Sequence, residues 1–109
     1  MLELWQTEWC PASRRIRERL TELGLDYLTR QVPVEKERRV ALRDRTGSDT
    51  IPALALEDGS VEIGEERIRD YLDGQISEPP DAEAHRLKAA KARRRYLEEE
   101  CECLQPATR

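Results

Sequence analysis

One cysteine of this sequence lies where it could act as a nucleophile. Residues 2–5 form a short apolar run of strand length before Cys10, and apolar residues recur at helical spacing after it, up to Gly24. We therefore expect Cys10 at the N-cap of the first helix, with Pro11 at the first helical position, where its missing N–H costs nothing. The free N–H groups of that first turn would then favour the thiolate. The alternative is a small, buried and unreactive cysteine.

A helix N-terminus alone does not lower the pKa of a thiol enough to make it a good nucleophile at neutral pH. An ordinary thiol with a pKa of about 8.5 is only about 3% ionised at neutral pH, and the helix dipole lowers that pKa by one unit or so. Ser13 can aim its hydroxyl at the sulfur, and Arg14 and Arg15 bring positive charge into the same turn. Two arginines there oppose the helix dipole, and a local rule broken beside a reactive group hints at function. Cys10, Ser13 and Arg14 are the predicted catalytic residues.

Composition limits the class of protein. The chain has 109 residues, enough for one domain, and its formal net charge is −4 with 39% charged and 38% hydrophobic residues. Charges of both signs are interspersed, which argues against a nucleic-acid surface. There is no apolar run of membrane-spanning length and no signal-peptide pattern, and an odd number of cysteines favours reduced thiols. These features predict a cytoplasmic protein that binds neither membrane nor nucleic acid.

The rest of the sequence supplies elements that would hold the cysteine. After the first helix we expect a strand from Leu25 to about Val32, a largely exposed helix over 35–45, a strand over 53–56 and its hairpin partner over 61–63. A third helix over 65–72 should stop at Gly74. The order strand, helix, strand, helix, strand, strand, helix predicts an α/β fold with a mixed four-stranded sheet, which is the thioredoxin-like arrangement.

Three segments carry a resemblance to known families. The first segment comprises residues 10–13, 15–20 and 23–27, the second is the triplet 50–52, and the third is residues 64–68, which precede Tyr71 and Leu72. Together they resemble the glutaredoxins and the N-terminal domain of glutathione transferases. The resemblance covers roughly residues 2–73. It implies glutathione, or a similar low-molecular-weight thiol, as cosubstrate. It also implies a set of residues around that thiol peptide: Pro11, Thr50, Ile51, Pro52, Gly64, Glu65 and Glu66.

Two of these segments have a physical reason to bind a peptide. A cis bond before Pro52 would let Ile51 present its N–H and C=O groups to an extended peptide, whereas a trans proline would merely start a strand. The helix start at Gly64 offers free N–H groups to the γ-glutamyl carboxylate. The resemblance implies that Glu65 or Glu66 meets the ammonium group; ordinary acidic residues of a first helical turn are the alternative.

The sequence also departs from the family patterns. Ser13 replaces the second cysteine of dithiol glutaredoxins, so only monothiol chemistry is expected. Thr7, followed by Glu8, stands where many glutaredoxins have a basic residue for the glycyl carboxylate, which leaves that role to an arginine such as Arg38 or Arg39. The Cys-Gly-Phe-Ser motif of iron–sulfur-binding glutaredoxins is missing, so no metal is predicted. The residues after Gly74 are too few for the all-helical second domain of a complete transferase.

The C-terminal part has a separate organisation. We expect a domain over 1–74, a linker over 75–80, and a helix from Asp81 to about Glu100 that continues into a flexible tail ending at residue 109. This helix could pack on the domain or pair with a second copy in a homodimer. Cys101 and Cys103 are interpreted as incidental thiols, with a resolving role toward Cys10 as an alternative; a metal site with His85 would have unfamiliar spacing.

Two functions are consistent with the sequence. The first is a monothiol, glutathione-dependent thiol–disulfide oxidoreductase that uses Cys10. The second is a non-catalytic thioredoxin-fold module that keeps the fold, binds glutathione or a protein partner, and does not turn over.

Overall fold

The computed structural model describes residues 1–95. Its strands are β1 (Leu2–Gln6), β2 (Tyr27–Gln31), β3 (Ala53–Ala55) and β4 (Val61–Ile63), and its helices are α1 (Pro11–Glu22), α2 (Val40–Thr46), α3 (Glu65–Gln75) and α4 (Ala82–Arg93), with a 3₁₀ turn over Lys36–Arg38 before α2. This order confirms the predicted α/β, thioredoxin-like fold. No helix in this part of the chain is long and apolar enough to cross a membrane.

The strands form one mixed sheet in the order β2-β1-β3-β4. β1 pairs in parallel with β2 and antiparallel with β3, so that Leu4 lies between Thr29 and Leu54. The parallel pair requires a crossover connection, which α1 provides. β3 and β4 form the predicted hairpin, in which the Ser60 N–H donates to the Asp58 carboxylate at 2.9 Å. The mixed four-stranded sheet is therefore as predicted.

Each face of the sheet has its own apolar core. On one face, α1 and α3 bury their apolar sides against the central strands, with these residues fully buried: Leu4, Ile16, Leu20, Leu54, Ile68 and Leu72. On the other face, Leu42 of α2 packs with Val32 and Ala53. Burying one such large side chain contributes about 1.5–3 kcal/mol, so the larger cluster, which holds α1 and α3, dominates the packing.

The predicted second helix is interrupted at Arg39. The chain makes a 3₁₀ turn over Lys36–Arg38, leaves helical geometry at Arg39 (φ −83°, ψ 50°), and only then begins α2. The Arg39 side chain is buried, and its guanidinium donates to three backbone carbonyls, those of Pro33 at 2.8 Å, Val34 at 3.1 Å and Asp49 at 2.8 Å. A buried guanidinium requires such acceptors, and the bend lets it reach them.

The third helix does not stop at Gly74. α3 continues to Gln75 and ends where Ile76 adopts extended backbone geometry, at φ −120° and ψ 125°. The half-buried side chain of Ile76 packs against the larger core, and its N–H donates to the Leu72 carbonyl at 2.9 Å. Tertiary packing thus places the helix end later than the glycine signal does, at a cost of about 1 kcal/mol for a helical glycine.

The C-terminal helix packs on the domain, one of the two arrangements that the sequence allowed. α4 lies against α1 and buries Ala82. Arg19 of α1 forms ion pairs with Asp73 and Glu78, and Arg86 of α4 reaches the same Glu78. These arginines hold the pKa of Glu78 at about 2. Cys101, Cys103 and the predicted end of the helix lie outside the described residues.

Candidate functional site

Cys10 occupies the predicted position at the N-cap of α1. Its backbone is extended (φ −74°, ψ 121°), Pro11 begins the helix, and the Ser13 N–H donates to the Cys10 sulfur at 3.4 Å. Cys10 is a free, half-buried thiol. The extended N-cap geometry points the side chain at the first turn of the helix, where donors have no backbone acceptor.

The surroundings of Cys10 favour its ionised form. Burial opposes ionisation and is the largest single effect, but the Ser13 hydroxyl, the N–H groups of Ser13 and Ala12, and the positive charge of Arg15 together hold the pKa of the thiol below its usual range. The Ser13 hydroxyl is buried and makes no hydrogen bond to any acceptor within residues 1–95. Its proton is therefore available to the thiolate.

Arg15 connects the cysteine turn to the start of α3. Its guanidinium binds the Glu65 carboxylate through two bonds, Nε to Oε2 at 2.5 Å and Nη2 to Oε1 at 2.8 Å. Arg15 is also the arginine whose charge lowers the pKa of Cys10. Arg14, the arginine chosen from the sequence, has a buried Nε with no hydrogen-bond partner in the described part of the chain. No local pattern identifies the Arg15–Glu65 contact, because 50 residues separate the partners.

The sheet brings the three predicted segments to one edge. Ala53, at the start of β3, pairs with Trp5 near the end of β1 and with Ile63 at the end of β4. The loop to Cys10, the loop that ends at Pro52, and Gly64 therefore all leave the sheet on the same side.

The Pro52 loop and the start of α3 are in direct contact. The Ile51–Pro52 peptide bond is cis, as expected. The Gly64 N–H donates to the Pro52 carbonyl at 2.9 Å, and Gly64 has a φ of 93°, which side-chain-bearing residues rarely adopt.

The other predicted binding residues differ in their exposure. Thr50 is exposed and its N–H donates to the Ser48 hydroxyl at 3.1 Å, while Ile51 is half-buried against the α2 side of the sheet. Glu65 is engaged by Arg15, whereas Glu66 is exposed beside it. Within the first turn of α3, Glu66 is thus the carboxylate with no ion pair in the described structure.

Three charged residues that the sequence analysis considered in connection with the glycyl carboxylate have local structural roles. The Glu8 carboxylate accepts hydrogen bonds from Gln6 at 2.7 Å and Gln31 at 3.2 Å, and these bonds lower its pKa. Its charge is thus held by glutamine side chains of β1 and β2. Each of the three guanidinium nitrogens of Arg39 donates to a backbone carbonyl, and Arg38 pairs with Glu35 at 3.4 Å. Burial and these three bonds hold the Arg39 side chain inside the domain, which argues against its assignment to a glycyl carboxylate.

These features define a thioredoxin-fold domain with a thiolate-stabilising helix start. Residues 4–80 match the family model described as the glutathione S-transferase N-terminal domain. The chain belongs to that family. No curated protein shows a significant sequence match to the chain.

Solved structures show the same relationship. A glutathione transferase family member from Pseudomonas fluorescens Pf-5, with bound glutathione, is 27% identical (TM-score 0.65) over 84% of this chain and 49% of its own. A glutathione S-transferase from Rhodospirillum rubrum F11 is 25% identical (TM-score 0.63) over 85% and 44%. The chain thus spans less than half the length of these two proteins. The buckwheat glutaredoxin–glutathione complex is 23% identical (TM-score 0.54) over 68% and 70%, and shares the fold.

Proposed function

We propose that this domain is a monothiol thiol–disulfide oxidoreductase that uses Cys10 together with glutathione or a similar low-molecular-weight thiol. The observation that carries the proposal is the lowered pKa of Cys10 at the N-cap of α1. A lower pKa raises the thiolate fraction at neutral pH, and the thiolate is the attacking species in disulfide exchange.

The reaction requires two exchanges. The Cys10 thiolate attacks the glutathione sulfur of a mixed disulfide, forms a Cys10–glutathione disulfide, and releases the substrate sulfur, which takes up a proton as a thiol. A second glutathione thiolate then attacks the glutathione sulfur on Cys10, forming oxidised glutathione and returning the Cys10 thiolate. Overall, the substrate disulfide is reduced and two glutathione units are joined. Ser13 cannot form a disulfide, so the cycle has no internal disulfide step.

The loop before β3 and the start of α3 would hold the peptide. Thr50, Ile51 and Pro52 offer backbone to an extended tripeptide. The free N–H groups after Gly64 suit a carboxylate, because a helix N-terminus favours an anion. Glutathione bound to the Pseudomonas relative supports this assignment.

The ammonium group of the peptide would meet an acidic side chain of the same turn. Glu65 is already bound by Arg15, and Glu66 is exposed one residue further on. We therefore assign the ammonium contact to Glu66 and a positioning role to Glu65.

The test starts from a variant with one thiol, Cys101→Ser/Cys103→Ser, so that thiolate absorbance reports Cys10 alone. We expect a pKa below the usual range and turnover of a glutathione mixed disulfide that equals wild type. Cys10→Ser should abolish turnover. A normal Cys10 pKa without turnover would contradict the proposed oxidoreductase activity. If calorimetry then showed glutathione binding, the result would support the non-catalytic module instead. Loss of turnover in the double variant would indicate a resolving cysteine in the C-terminal residues.

A further inference from the structure

A cavity of about 300 Å³ beside the cysteine turn is lined by arginines from three helices. Arg14, Arg15 and Arg19 come from α1, Arg69 from α3 and Arg93 from α4, and two glutamates of α1 complete the lining. We call this cavity the arginine pocket. Arginine clusters of this kind are unfavourable unless carboxylates or a bound anion compensate their charge.

The inner end of the arginine pocket is compensated by the protein itself. Arg19 pairs with Glu22 at 3.0 Å and with other carboxylates beyond the pocket, and Arg93 pairs with Glu18 at 2.5 Å. Both glutamates of the lining are used in these pairs. The lining therefore has no further carboxylate that could compensate the arginines at the end nearer the cysteine.

The end near the cysteine has an excess of positive charge. Arg15 binds Glu65 through two hydrogen bonds, and Arg69 approaches the same carboxylate only to 4.0 Å. Arg14 makes no ion pair within residues 1–95, and its buried Nε lacks a hydrogen-bond partner there. Among the described residues, these three guanidinium groups are therefore balanced by a single carboxylate, that of Glu65, which Arg15 binds and Arg69 approaches. Two positive charges remain available, on groups whose fork geometry suits carboxylate or phosphate oxygens.

This charge lies close to the reacting sulfur. The Arg14 N–H donates to the Cys10 carbonyl at 3.0 Å, which puts Arg14 in the first turn of the same helix. Arg15, which also lines the pocket, lowers the pKa of Cys10 through its positive charge. A molecule that reacts at Cys10 can therefore extend an anionic group into the arginine pocket. The assigned glutathione contacts are the Pro52 loop and the first turn of α3, whereas the pocket continues from there to Arg14 of α1 and Arg93 of α4, so we assign this second group to the other half of the disulfide.

We infer that the arginine pocket binds an anionic group, carboxylate or phosphate, on the thiol that leaves when Cys10 attacks a glutathione mixed disulfide. This inference rests on the proposed function and names its substrate class: mixed disulfides of acidic or phosphorylated thiols. The pocket attracts such substrates and orients the leaving sulfur. Its contribution decreases as salt screens the exposed arginines.

The test compares four glutathionylated peptides that differ only beside the cysteine: two aspartates, two asparagines, two lysines, or one phosphoserine. We expect kcat/KM to be highest for the anionic peptides and lowest for the lysine peptide, with the difference shrinking at high salt. The aspartate and phosphoserine arms distinguish the two sources of anionic charge. Equal kcat/KM values for aspartate and asparagine peptides, together with no phosphoserine preference, would overturn the inference.

Arg69→Gln removes one arginine of the pocket without substituting a residue of the cysteine turn, and Arg67→Gln is its matched control. Arg67 lies on the same helix, is 78% exposed and pairs with Glu62 at 3.8 Å, away from the arginine pocket. Arg69→Gln should lower kcat/KM for the anionic peptides about three- to fivefold, the range for one partly exposed ion pair, and leave the asparagine peptide unchanged. If Arg69→Gln and Arg67→Gln lowered kcat/KM equally, the preference would come from the overall surface charge, and the inference of a binding pocket would be wrong.

A binding measurement separates this inference from the proposed function. Unreactive aspartate and asparagine peptides, in which a thioether replaces the disulfide, are titrated into the full chain and followed by fluorescence anisotropy. If no peptide is turned over, the proposed function fails, yet tighter binding of the aspartate peptide that is lost in Arg69→Gln would still support the pocket. Equal binding of both peptides would overturn it.

Discussion

Arg15 and Glu65 join the first turns of α1 and α3 through a two-bond ion pair, with Nη2 and Oε1 2.8 Å apart. The Glu65 carboxylate thus binds Arg15, whose positive charge lowers the pKa of Cys10. The pKa of Glu65 is lowered chiefly by its hydrogen bonds to Arg15, so the carboxylate stays ionised at neutral pH. The cysteine thus responds to a charge pair whose second member belongs to another helix.

Removing the carboxylate should make the thiol more acidic. Glu65→Gln leaves the Arg15 charge uncompensated, so the pKa of Cys10 should fall and the rate of alkylation at pH 6 should rise. The measurement is the pH dependence of iodoacetamide reaction in the Cys101→Ser/Cys103→Ser background. Glu66→Gln is the matched control and should change the rate little. A higher pKa in Glu65→Gln would mean that the carboxylate mainly positions Arg15.

Removing the buried hydroxyl should have the opposite effect. Ser13→Ala deletes a donor to the thiolate, and the side chain is fully buried, so water cannot easily replace it. We expect a higher Cys10 pKa and a loss of turnover of about tenfold at pH 6, as one lost charge-assisted hydrogen bond implies. The loss should shrink at high pH, where the thiol ionises unaided. An equal loss at every pH would indicate a packing defect.

Arg39 should be a stability residue. Arg39→Ala leaves the carbonyls of Pro33, Val34 and Asp49 without their donor, and hydrogen bonds to a charged group contribute about 1.5–3 kcal/mol each before non-additivity. We expect the free energy of unfolding in urea to fall by about 3 kcal/mol. Arg38→Ala, the exposed neighbour, should have almost no effect. Comparable unfolding midpoints for the two variants would contradict the structural role of the buried guanidinium.

The attachment of α4 should weaken in acid. The folded pKa of Glu78 is about 2, below its ordinary value of about 4.3. Its contribution to stability is therefore complete above the unfolded pKa and is lost as pH falls from about 5 to 2. Glu78→Gln should lower the melting temperature at pH 7 and reduce this pH dependence. Glu37→Gln, an exposed glutamate away from α4, is the control, and an identical pH profile for both variants would disprove the assignment.

Local patterns in the sequence predicted much of the fold and part of the site. Apolar periodicity and the positions of glycine and proline were sufficient for the order of elements and the N-cap at Cys10, whereas the cis Ile51–Pro52 bond was expected only because of the family resemblance. They misplaced the end of α3 at Gly74, because the packing of Ile76 outweighs a glycine signal.

Long-range contacts could not be predicted in this way. The partners of Arg15 and Glu8 depend on how distant elements meet, and α4 has only a weak apolar stripe, so its docking through Arg86 and Glu78 has no periodic signature. The same holds for the arginine pocket, which combines residues of three helices.

Ala53 is hydrogen-bonded into the sheet between Trp5 and Ile63, and this double pairing sets the positions of the loops that meet around Cys10. A strand can shift only in whole residues, and one step would displace Pro52 by about 3.3 Å and turn Leu54 from the core toward the opposite face. The spacing between Cys10, Pro52 and Gly64 therefore cannot be adjusted gradually by changes within β3. A change in this spacing would therefore have to come from the loops, because the register of β3 is fixed.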